Sequence, residues 1–330
     1  MGLKNNPTLK SSKIRVGITI GDPAGIGPAI TIKALKSLRG KADFTVIGDK
    51  YVLSRAAGLL HTNTPPFRLL DLNNIKNRNF VFGKISPFNG RASLEYLEAA
   101  AELLKHKQLD CLVTCPVSKE AISMSGPRFF GHTEYLAAKF KRKQPVMMLI
   151  NKRFRFSLVT RHIPLRDVSE KISRRKVKDN ILVTVKGLKD LFLIARPRIV
   201  VCGINPHASD NGLIGMDELR MIKPAVNSLK GRCLGASVSG PVSADIAIAD
   251  SARGEFDCVI ALYHDQALIP LKLTGFNSGV NLTLGLPFVR TSPLHGTAFD
   301  LAKKPVLANS GSLLAAIKLA ITCTSNQRKA

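Results

Sequence analysis

The chain has 330 residues, of which 45% are hydrophobic and 22% are charged, and its formal net charge is +26. Because this length exceeds what one hydrophobic core usually holds, we expect two lobes. A strong positive charge attracts nucleic acid, but the lysines and arginines are spread along the chain and no aromatic residues interleave with them. We therefore do not expect nucleic acid as a partner, and no apolar run has the length of a membrane span.

The first residues of the chain are polar and basic, without the apolar stretch of a secretory signal. We predict a disordered tail at 1–12. Most of the six cysteines lie in apolar runs, such as those at 111–113 and 201–202, which is typical of buried, reduced thiols. These features favour a cytoplasmic protein.

Strand-like and helical patterns alternate along the chain, which indicates an α/β fold with a parallel sheet. A run of β-branched residues at 14–20 leads into a glycine-rich turn at 21–28 and then a helical pattern that ends near Leu38. The turn departs from a dinucleotide-binding fingerprint, because Ile30 occupies the position of the third glycine. Further strands are predicted at 43–48, 111–114, 146–150, 156–160, 198–202 and 258–262, and helices at 92–107, at 131–137 with Thr133 as the cap, and from near Leu165.

Three histidines each follow an apolar strand-like run: His162, His207 and His264. Strands of one parallel sheet end at the same edge, so three imidazoles could converge there. Three neutral nitrogen ligands leave a position open for substrate, as a catalytic divalent metal requires. Asp245 and Asp265 are candidates to hold the imidazole N–H groups. The alternative is that each histidine is a polar side chain with its hydrogen bonds satisfied locally.

Lys272, Asn281 and Arg290 recur at intervals of nine residues in an apolar segment punctuated by glycines, so both cations are expected to be buried. Buried cations are costly unless paired, and an anion is the expected partner. His132 lies at the start of a predicted helix, where the N-terminus favours anions. The alternative is a loop-rich connection with scattered polar residues.

Nine motifs follow one another in a fixed order: GDPAGIGP at 21–28, GHTE at 131–134, NPHA at 205–208, GP with AD at 240–245, YHDQ at 263–266, GVN at 279–281, TLGLP at 283–287, RTS at 290–292 and HGTA at 295–298. Together they resemble the family of 4-hydroxythreonine-4-phosphate dehydrogenases of pyridoxal phosphate biosynthesis. So many matches over nearly the full length are more specific than any single motif.

The resemblance implies a two-lobed α/β fold similar to isopropylmalate and isocitrate dehydrogenases. It implies an active site between the lobes and at the interface of a homodimer. A cofactor-side lobe is expected at 13–125 together with about 280–330, and a lobe for substrate, metal and dimerisation at about 126–279. The implied cofactors are NAD or NADP and one divalent metal per subunit, Zn²⁺, Mg²⁺ or Co²⁺.

The resemblance also assigns roles to residues of this chain. It implies that the metal ligands are His162, His207 and His264. It implies substrate binding by His132, Thr133, Lys272, Asn281 and Arg290, and cofactor binding by His295, Gly296, Thr297, Ala298 and Asn309. The candidate catalytic residues are Lys272, Asp245 and Asp265, and the proton acceptor stays open between the two aspartates and a metal-bound water.

The implied function is oxidation of the C3 hydroxyl of 4-(phosphooxy)-L-threonine, followed by loss of carbon dioxide to leave 3-amino-2-oxopropyl phosphate. One alternative is a relative that oxidises a 4-phosphorylated threonate or erythronate with the same metal and cofactor. A second alternative is a basic nucleic-acid-binding protein on the same fold. The sequence leaves open the choice between NAD and NADP and the identity of the metal.

Overall fold

The computed structural model describes residues 13–75, 80–231, 233 and 235–330. The tail predicted at 1–12 lies outside this part of the chain. Strand side chains near the middle of the sheet are buried on both faces, which explains their continuous apolar runs. The strands of the described residues are β1 (Arg15–Thr19), β2 (Asp43–Gly48), β3 (Arg68–Asp71), β4 (Cys111–Thr114), β5 (Val146–Ile150), β6 (Arg155–Leu158), β7 (Arg198–Cys202), β8 (Ser237–Val242), β9 (Cys258–Ala261), β10 (Val280–Leu284) and β11 (Val289–Pro293).

Three helices begin at a serine whose hydroxyl accepts a hydrogen bond from the backbone three residues on: Ser86, Ser118 and Ser173. These serines cap α3, α4 and α7 in the following series. The helices are α1 (Gly27–Lys36), α2 (Lys50–Leu59), α3 (Pro87–Lys105), α4 (Lys119–Met124), α5 (His132–Lys139), α6 (Val168–Lys171), α7 (Arg174–Phe192), α8 (Lys223–Asn227), α9 (Ala244–Ala252), α10 (His264–Gly275), α11 (Phe299–Ala302) and α12 (Gly311–Gln327).

The strands form one sheet in the order β3-β2-β1-β4-β11-β10-β5-β6-β9-β7-β8. The predicted α/β class is confirmed. The expectation of a parallel sheet is wrong for its middle, where β10 runs antiparallel to both β11 and β5, and β5 runs antiparallel to β6. The reason is that two pairs of strands are joined by the short turns 151–154 and 285–288, which reverse the chain direction.

The two predicted groups of residues occupy the two halves of this sheet. Strands from 13–125 and 280–330 form the half from β3 to β10, and strands from 126–279 form the half from β5 to β8. In the second half, α9 and α10 cover one face over a separate apolar cluster that includes Phe156, Val259 and Leu271. The division into two lobes stays a prediction.

Several predicted helix starts differ from the observed ones. The helix predicted from residue 92 begins at Pro87, because Ser86 caps it. Thr133 does not cap α5, whose N-cap is Gly131 without a side-chain bond. The helix that carries the basic cluster begins at Arg174 rather than near Leu165, since a short 3-10 turn and α6 precede it.

All six cysteines are free and buried, as predicted. Burial raises the pKa of the Cys115 thiol to about 12, which makes it unreactive at neutral pH. Among the residues that the structure describes, no helix is both long and apolar enough to cross a membrane.

The turn after β1 is tightly packed and holds a buried carboxyl group. A Cβ at Gly27 would lie 1.9 Å from the carbonyl oxygen of Ile20, so only glycine fits there, and Pro28 follows in the first turn of α1. Asp22 is fully buried, and its Oδ1 accepts a bond from the Ala24 N–H at 2.9 Å, whereas its Oδ2 has no partner. Burial raises the pKa of Asp22 to about 6.

We predict that Asp22→Asn stabilises the folded protein at pH 8 and has little effect near pH 4. The pKa of Asp22 is about 6 when folded and near its ordinary value of 3.8 when unfolded, so the folded state binds more protons between these values and stability falls as pH rises through this window. Asparagine keeps the Oδ1 acceptor without the charge, so the gain at pH 8 should approach ~3 kcal/mol. Urea unfolding of both proteins from pH 4 to 8 measures it; a pH-independent difference would contradict it.

Candidate active site

A cavity of about 300 Å³ opens where β4, β10 and β11 meet the start of α5. Several different segments end at this edge of the sheet, which is where α/β proteins gather ligands. The cavity collects most of the residues predicted to bind substrate. Those of the predicted site residues that line it are His132, Thr133, His162, Asn281, Arg290, His295 and Gly296.

Arg290 lies on β11 in the middle of the sheet, with 2% of its surface exposed. Its guanidinium donates to the hydroxyls of Thr283, at 3.1 Å, and Thr114, which lie on the two flanking strands. Its Nε is buried without a hydrogen-bond partner. Burial lowers the pKa of Arg290 to about 10, against the opposing charge of Glu134. A buried cation with a free donor points to an anionic ligand.

His132 and Asn281 bring further unsatisfied groups to the same cavity. Nε2 of His132 and Oδ1 of Asn281 are buried without hydrogen-bond partners. His132 is the first residue of α5, and since its N-cap Gly131 has no side chain, the N–H groups of the first turn stay available to an anion. Burial, followed by the charges of Arg290 and Lys119, lowers the pKa of His132 well below its usual value, so the ring is neutral.

His162 lines the cavity beside His264, and the centroids of the two rings are 5.6 Å apart. Oδ1 of Asp265 lies 2.6 Å from Nδ1 of His264, an arrangement that leaves Nε2 of that ring free to act as a ligand. Burial, followed by the charges of Lys119 and His264, lowers the pKa of His162. A second cavity of about 550 Å³ adjoins the pair and is lined by Tyr263 as well as by both histidines.

His207 does not join this pair within one chain. It is exposed on the segment Pro206–Gly212 after β7. The hydroxyl of Ser243 is the main cause of the lowered pKa of Asp245, and His207 contributes only weakly to it. Within the described ranges, no group of three or more His, Cys, Asp or Glu side chains is arranged to hold a metal ion. One chain therefore brings together two of the three predicted ligands.

The predicted cofactor turn, residues 295–298, follows β11 and packs on the turn after β1. The carbonyl of Thr297 accepts a hydrogen bond from the Ile26 N–H at 2.9 Å. Nε2 of His295 is buried at the cavity without a partner. Asn309 is exposed, and its Oδ1 accepts a bond from the backbone N–H two residues on at 2.7 Å. These residues stay candidates for cofactor binding.

Lys272 does not line this cavity, and its predicted burial is wrong. It is exposed on α10, with its ammonium 5.7 Å from the centroid of the Phe276 ring. The interval of nine residues places Asn281 and Arg290 on strands but Lys272 on the outer face of a helix.

Three charged residues of the cavity region are not among the residues predicted from the sequence: Lys119, Glu134 and Arg161. Nη2 of Arg161 pairs with Oε1 of Glu134 at 2.9 Å. Lys119 begins α4 and lines the cavity. The signal for Lys119 is its place shortly after β4, at the edge of the sheet where strands end.

Together, the sheet and the cavity at its strand ends define an α/β protein with a candidate ligand site at the sheet edge. A family model described as "Pyridoxal phosphate biosynthetic protein PdxA" matches residues 40–320. The chain belongs to the PdxA family, and the predicted resemblance and oxidoreductase class are confirmed.

Individual relatives match over almost the whole chain. It is 39% identical over 319 residues to the 4-hydroxythreonine-4-phosphate dehydrogenase of Sulfurihydrogenibium sp., covering 93% of this chain and 98% of the relative. It is 40% identical over 323 residues to the D-threonate 4-phosphate dehydrogenase of Cupriavidus necator, covering 92% and 95%. A crystal structure of 4-hydroxythreonine-4-phosphate dehydrogenase from Klebsiella pneumoniae matches with a TM-score of 0.84 at 33% identity, covering 96% and 99%.

We predict that Arg290→Met removes phosphate binding without unfolding the protein. The variant loses a buried charge whose desolvation costs ~3 kcal/mol, and it also loses the hydrogen bonds to two threonines, at about 1 kcal/mol each, so the effects largely offset. Inorganic phosphate should raise the thermal midpoint of the wild type but not that of the variant. Arg39→Met, at an exposed arginine, is the matched control. A full phosphate response in Arg290→Met would show that Arg290 does not hold the anion.

Proposed function

We propose that this protein oxidises the C3 hydroxyl of 4-(phosphooxy)-L-threonine with NAD or NADP. The resulting β-keto acid then loses carbon dioxide to give 3-amino-2-oxopropyl phosphate, in pyridoxal 5'-phosphate biosynthesis. The observation that carries this proposal is a buried cation with a free donor in the same cavity as one member of a histidine pair. Arg290 and His162 line that cavity, and the ring of His264 lies 5.6 Å from that of His162 between centroids. The relative from Sulfurihydrogenibium sp. is named for this substrate.

The phosphate group of the substrate fits the enclosed end of the cavity. Arg290 supplies the charge and a free Nε donor, and the neutral His132 supplies a ring nitrogen that has no other partner. The start of α5, with the buried Thr133, adds backbone donors, and Asn281 adds a side-chain amide. These groups hold the substrate so that C3 lies toward the histidine pair.

The imidazole nitrogens of the histidine pair are suitable ligands for a divalent cation. His162 and His264 are adjacent, and the contact of Asp265 with Nδ1 of His264 leaves Nε2 as the nitrogen that would ligate the cation. Zn²⁺, Mg²⁺ or Co²⁺ bound there would lower the pKa of the C3 hydroxyl, and imidazole ligands favour Zn²⁺ over Mg²⁺. Asp245, Asp265 and Lys272 are the candidates to receive or return protons.

The cofactor belongs on the other side of the cavity. NAD or NADP bound there would accept the C3 hydride. The turn at 295–298 packs closely on the turn after β1, and the buried Nε2 of His295 still lacks a partner, which supports a ligand at this place. Asn309 lies shortly after this turn, before α12. The two halves of the sheet support a division into a cofactor-side lobe, 13–125 with about 280–330, and a second lobe at about 126–279.

We also propose that the protein is a homodimer and that a second copy completes the site. His207 is exposed beside the exposed apolar residues Leu213, Ile214 and Met216, and does not reach the histidine pair of its own chain. On α10, Lys272 is flanked by Leu273, 81% exposed, and other exposed apolar side chains. Apolar surface of this kind is typical of subunit interfaces. His207 and Lys272 would then act in the partner's cavity. The six buried free thiols support a cytoplasmic location.

A second candidate substrate is 4-phospho-D-threonate, because the relative from Cupriavidus necator is named for it at similar identity. The phosphate end and the histidine pair serve both substrates equally. The difference is the group at C2, an amine in one and a hydroxyl in the other.

We predict that an activity assay with each of the two substrates distinguishes the two proposals. Reduced cofactor should form with 4-(phosphooxy)-L-threonine, and a chelator should abolish its formation because the C3 hydroxyl then keeps its high pKa. The assay follows absorbance of the reduced cofactor with each substrate, before and after chelation and metal return. Turnover of the threonate alone would reject the main proposal, and turnover unaffected by chelation would reject the role of the metal.

We predict that His207 acts across the dimer interface and that His162→Ala and His207→Ala chains complement each other. Each variant alone should lack activity and hold much less metal, because one ligand is missing. Random mixing makes half of the dimers mixed, each with one intact site, so about a quarter of wild-type activity should return.

A mixture of His162→Ala with His264→Ala is the control and should stay inactive, because both ligands come from one chain. His61→Ala and His106→Ala, outside every motif, should keep metal and activity. If the mixture of His162→Ala and His207→Ala also stays inactive, His207 does not act in trans.

A further inference from the structure

The proposed substrate is anionic at both ends, and its phosphate and its carboxylate lie on opposite sides of C3. Arg290 and His132 define the phosphate end of the first cavity. Lys119 belongs to the same end, because a Cβ added at Gly131, at the start of α5, would lie 3.9 Å from its Cε. With the phosphate there and C3 at the histidine pair, C2 and the carboxylate extend past the histidines. A group that binds the carboxylate is therefore expected beyond the pair.

The second cavity, of about 550 Å³, extends from the histidine pair on the side that lacks Arg290. It shares His162 with the first cavity, and it is also lined by His264 and Asp265. Among the described residues that line the second cavity, Arg161 is the one arginine or lysine. A ligand that runs from Arg290 past the histidine pair therefore enters the space beside Arg161.

The ion pair of Arg161 leaves part of its guanidinium without a partner. Nη2 lies 2.9 Å from Oε1 of Glu134, whereas Nη1 is buried and has no hydrogen-bond partner among the described residues. The side chain as a whole is 25% exposed, so the charge stays within reach of a small ligand. A buried donor without an acceptor is costly, and a carboxylate oxygen forms a strong, charge-assisted bond with a guanidinium.

The fold holds Arg161 beside the histidine pair. It directly precedes His162, shortly after β6 ends. Thr160 donates to the carbonyl of Leu262 through its N–H, at 3.1 Å, and through its hydroxyl, at 2.6 Å. Because Leu262 lies two residues before His264, these two bonds fix Arg161 and both histidines in one register at the edge of the sheet.

We propose that Arg161 binds the substrate carboxylate through Nη1, while its Nη2 stays paired with Glu134. This assignment rests on the proposed function, and it adds a binding residue that fixes which way round the substrate lies. With the phosphate held at Arg290 and the carboxylate at Arg161, C3 is the carbon presented to the histidine pair. The contact favours phosphate esters that carry a carboxylate at C1 over those that lack one.

The test compares two ligands that differ only in the carboxylate, 4-(phosphooxy)-L-threonine and 3-amino-2-hydroxypropyl phosphate. Calorimetry measures their binding to the full chain loaded with Zn²⁺, without NAD or NADP. The wild type should bind the carboxylated ligand about tenfold more tightly, because it alone forms the charge-assisted bond. Arg161→Met should lose this preference and bind the ligand without the carboxylate as the wild type does, which also shows that the variant is folded.

Two further variants control for the ion pair. Arg91→Met removes an exposed arginine that pairs with Glu95 at 2.6 Å and that lines neither cavity, so the preference should stay. Arg161→Met combined with Glu134→Gln removes the carboxylate charge that the single variant leaves unpaired. This double variant should also bind the two ligands about equally, since the loss comes from the missing guanidinium.

A preference that persists in Arg161→Met would overturn the proposal, and so would a wild type that binds both ligands equally. Equal losses for both ligands in Arg161→Met would also overturn it, since Arg161 would then act through the shape of the cavity. A wild type that shows the preference, loses it in Arg161→Met and yet does not oxidise 4-(phosphooxy)-L-threonine would reject the proposed reaction but support the carboxylate site. A wild type that binds neither ligand would reject both.

Discussion

The burial of Arg290 is the constraint on which the rest of the site depends. Its guanidinium is carried on a central strand and anchored by a hydroxyl from the strand on each side, Thr114 and Thr283. Such a cation is costly in the folded protein until an anion reaches it. The neutral His132 and the start of α5 face the same space, and Glu134, the carboxylate among the described lining residues, is paired with Arg161. This arrangement fits the binding of an anion there.

The sheet explains why the histidine pair forms beside this pocket. His162 and His264 follow β6 and β9, which are adjacent and parallel, with Leu158 opposite Ala261 at their ends. Because such strands end at the same edge of the sheet, two side chains that shortly follow them lie close together. His207 follows β7, the other neighbour of β9, but the segment Pro206–Gly212 carries it to the exposed surface. The geometry of one chain is therefore incomplete for a three-histidine metal site.

The sequence predicts those parts of the site whose position follows from strand order and burial. Arg290 and Asn281 stand out as polar residues in apolar strands, and both line the cavity. Lys272 has the same spacing, yet its exposure depends on which face of α10 packs on the sheet, and no local pattern gives that. Lys119 escapes notice because an exposed lysine after a strand is ordinary until the neighbouring segments are seen. The antiparallel middle of the sheet is also not predicted, because the chain reverses direction in two short turns, 151–154 and 285–288, that no pattern in the sequence marks.

The most direct test of this account is a crystal structure of the protein soaked with Zn²⁺ and inorganic phosphate, with data collected at the zinc absorption edge. The account predicts zinc on His162 and His264, and phosphate in the same cavity against Nε of Arg290 and Nε2 of His132. Zinc bound away from the histidine pair, or phosphate bound elsewhere while Arg290 keeps its free donor, would contradict it.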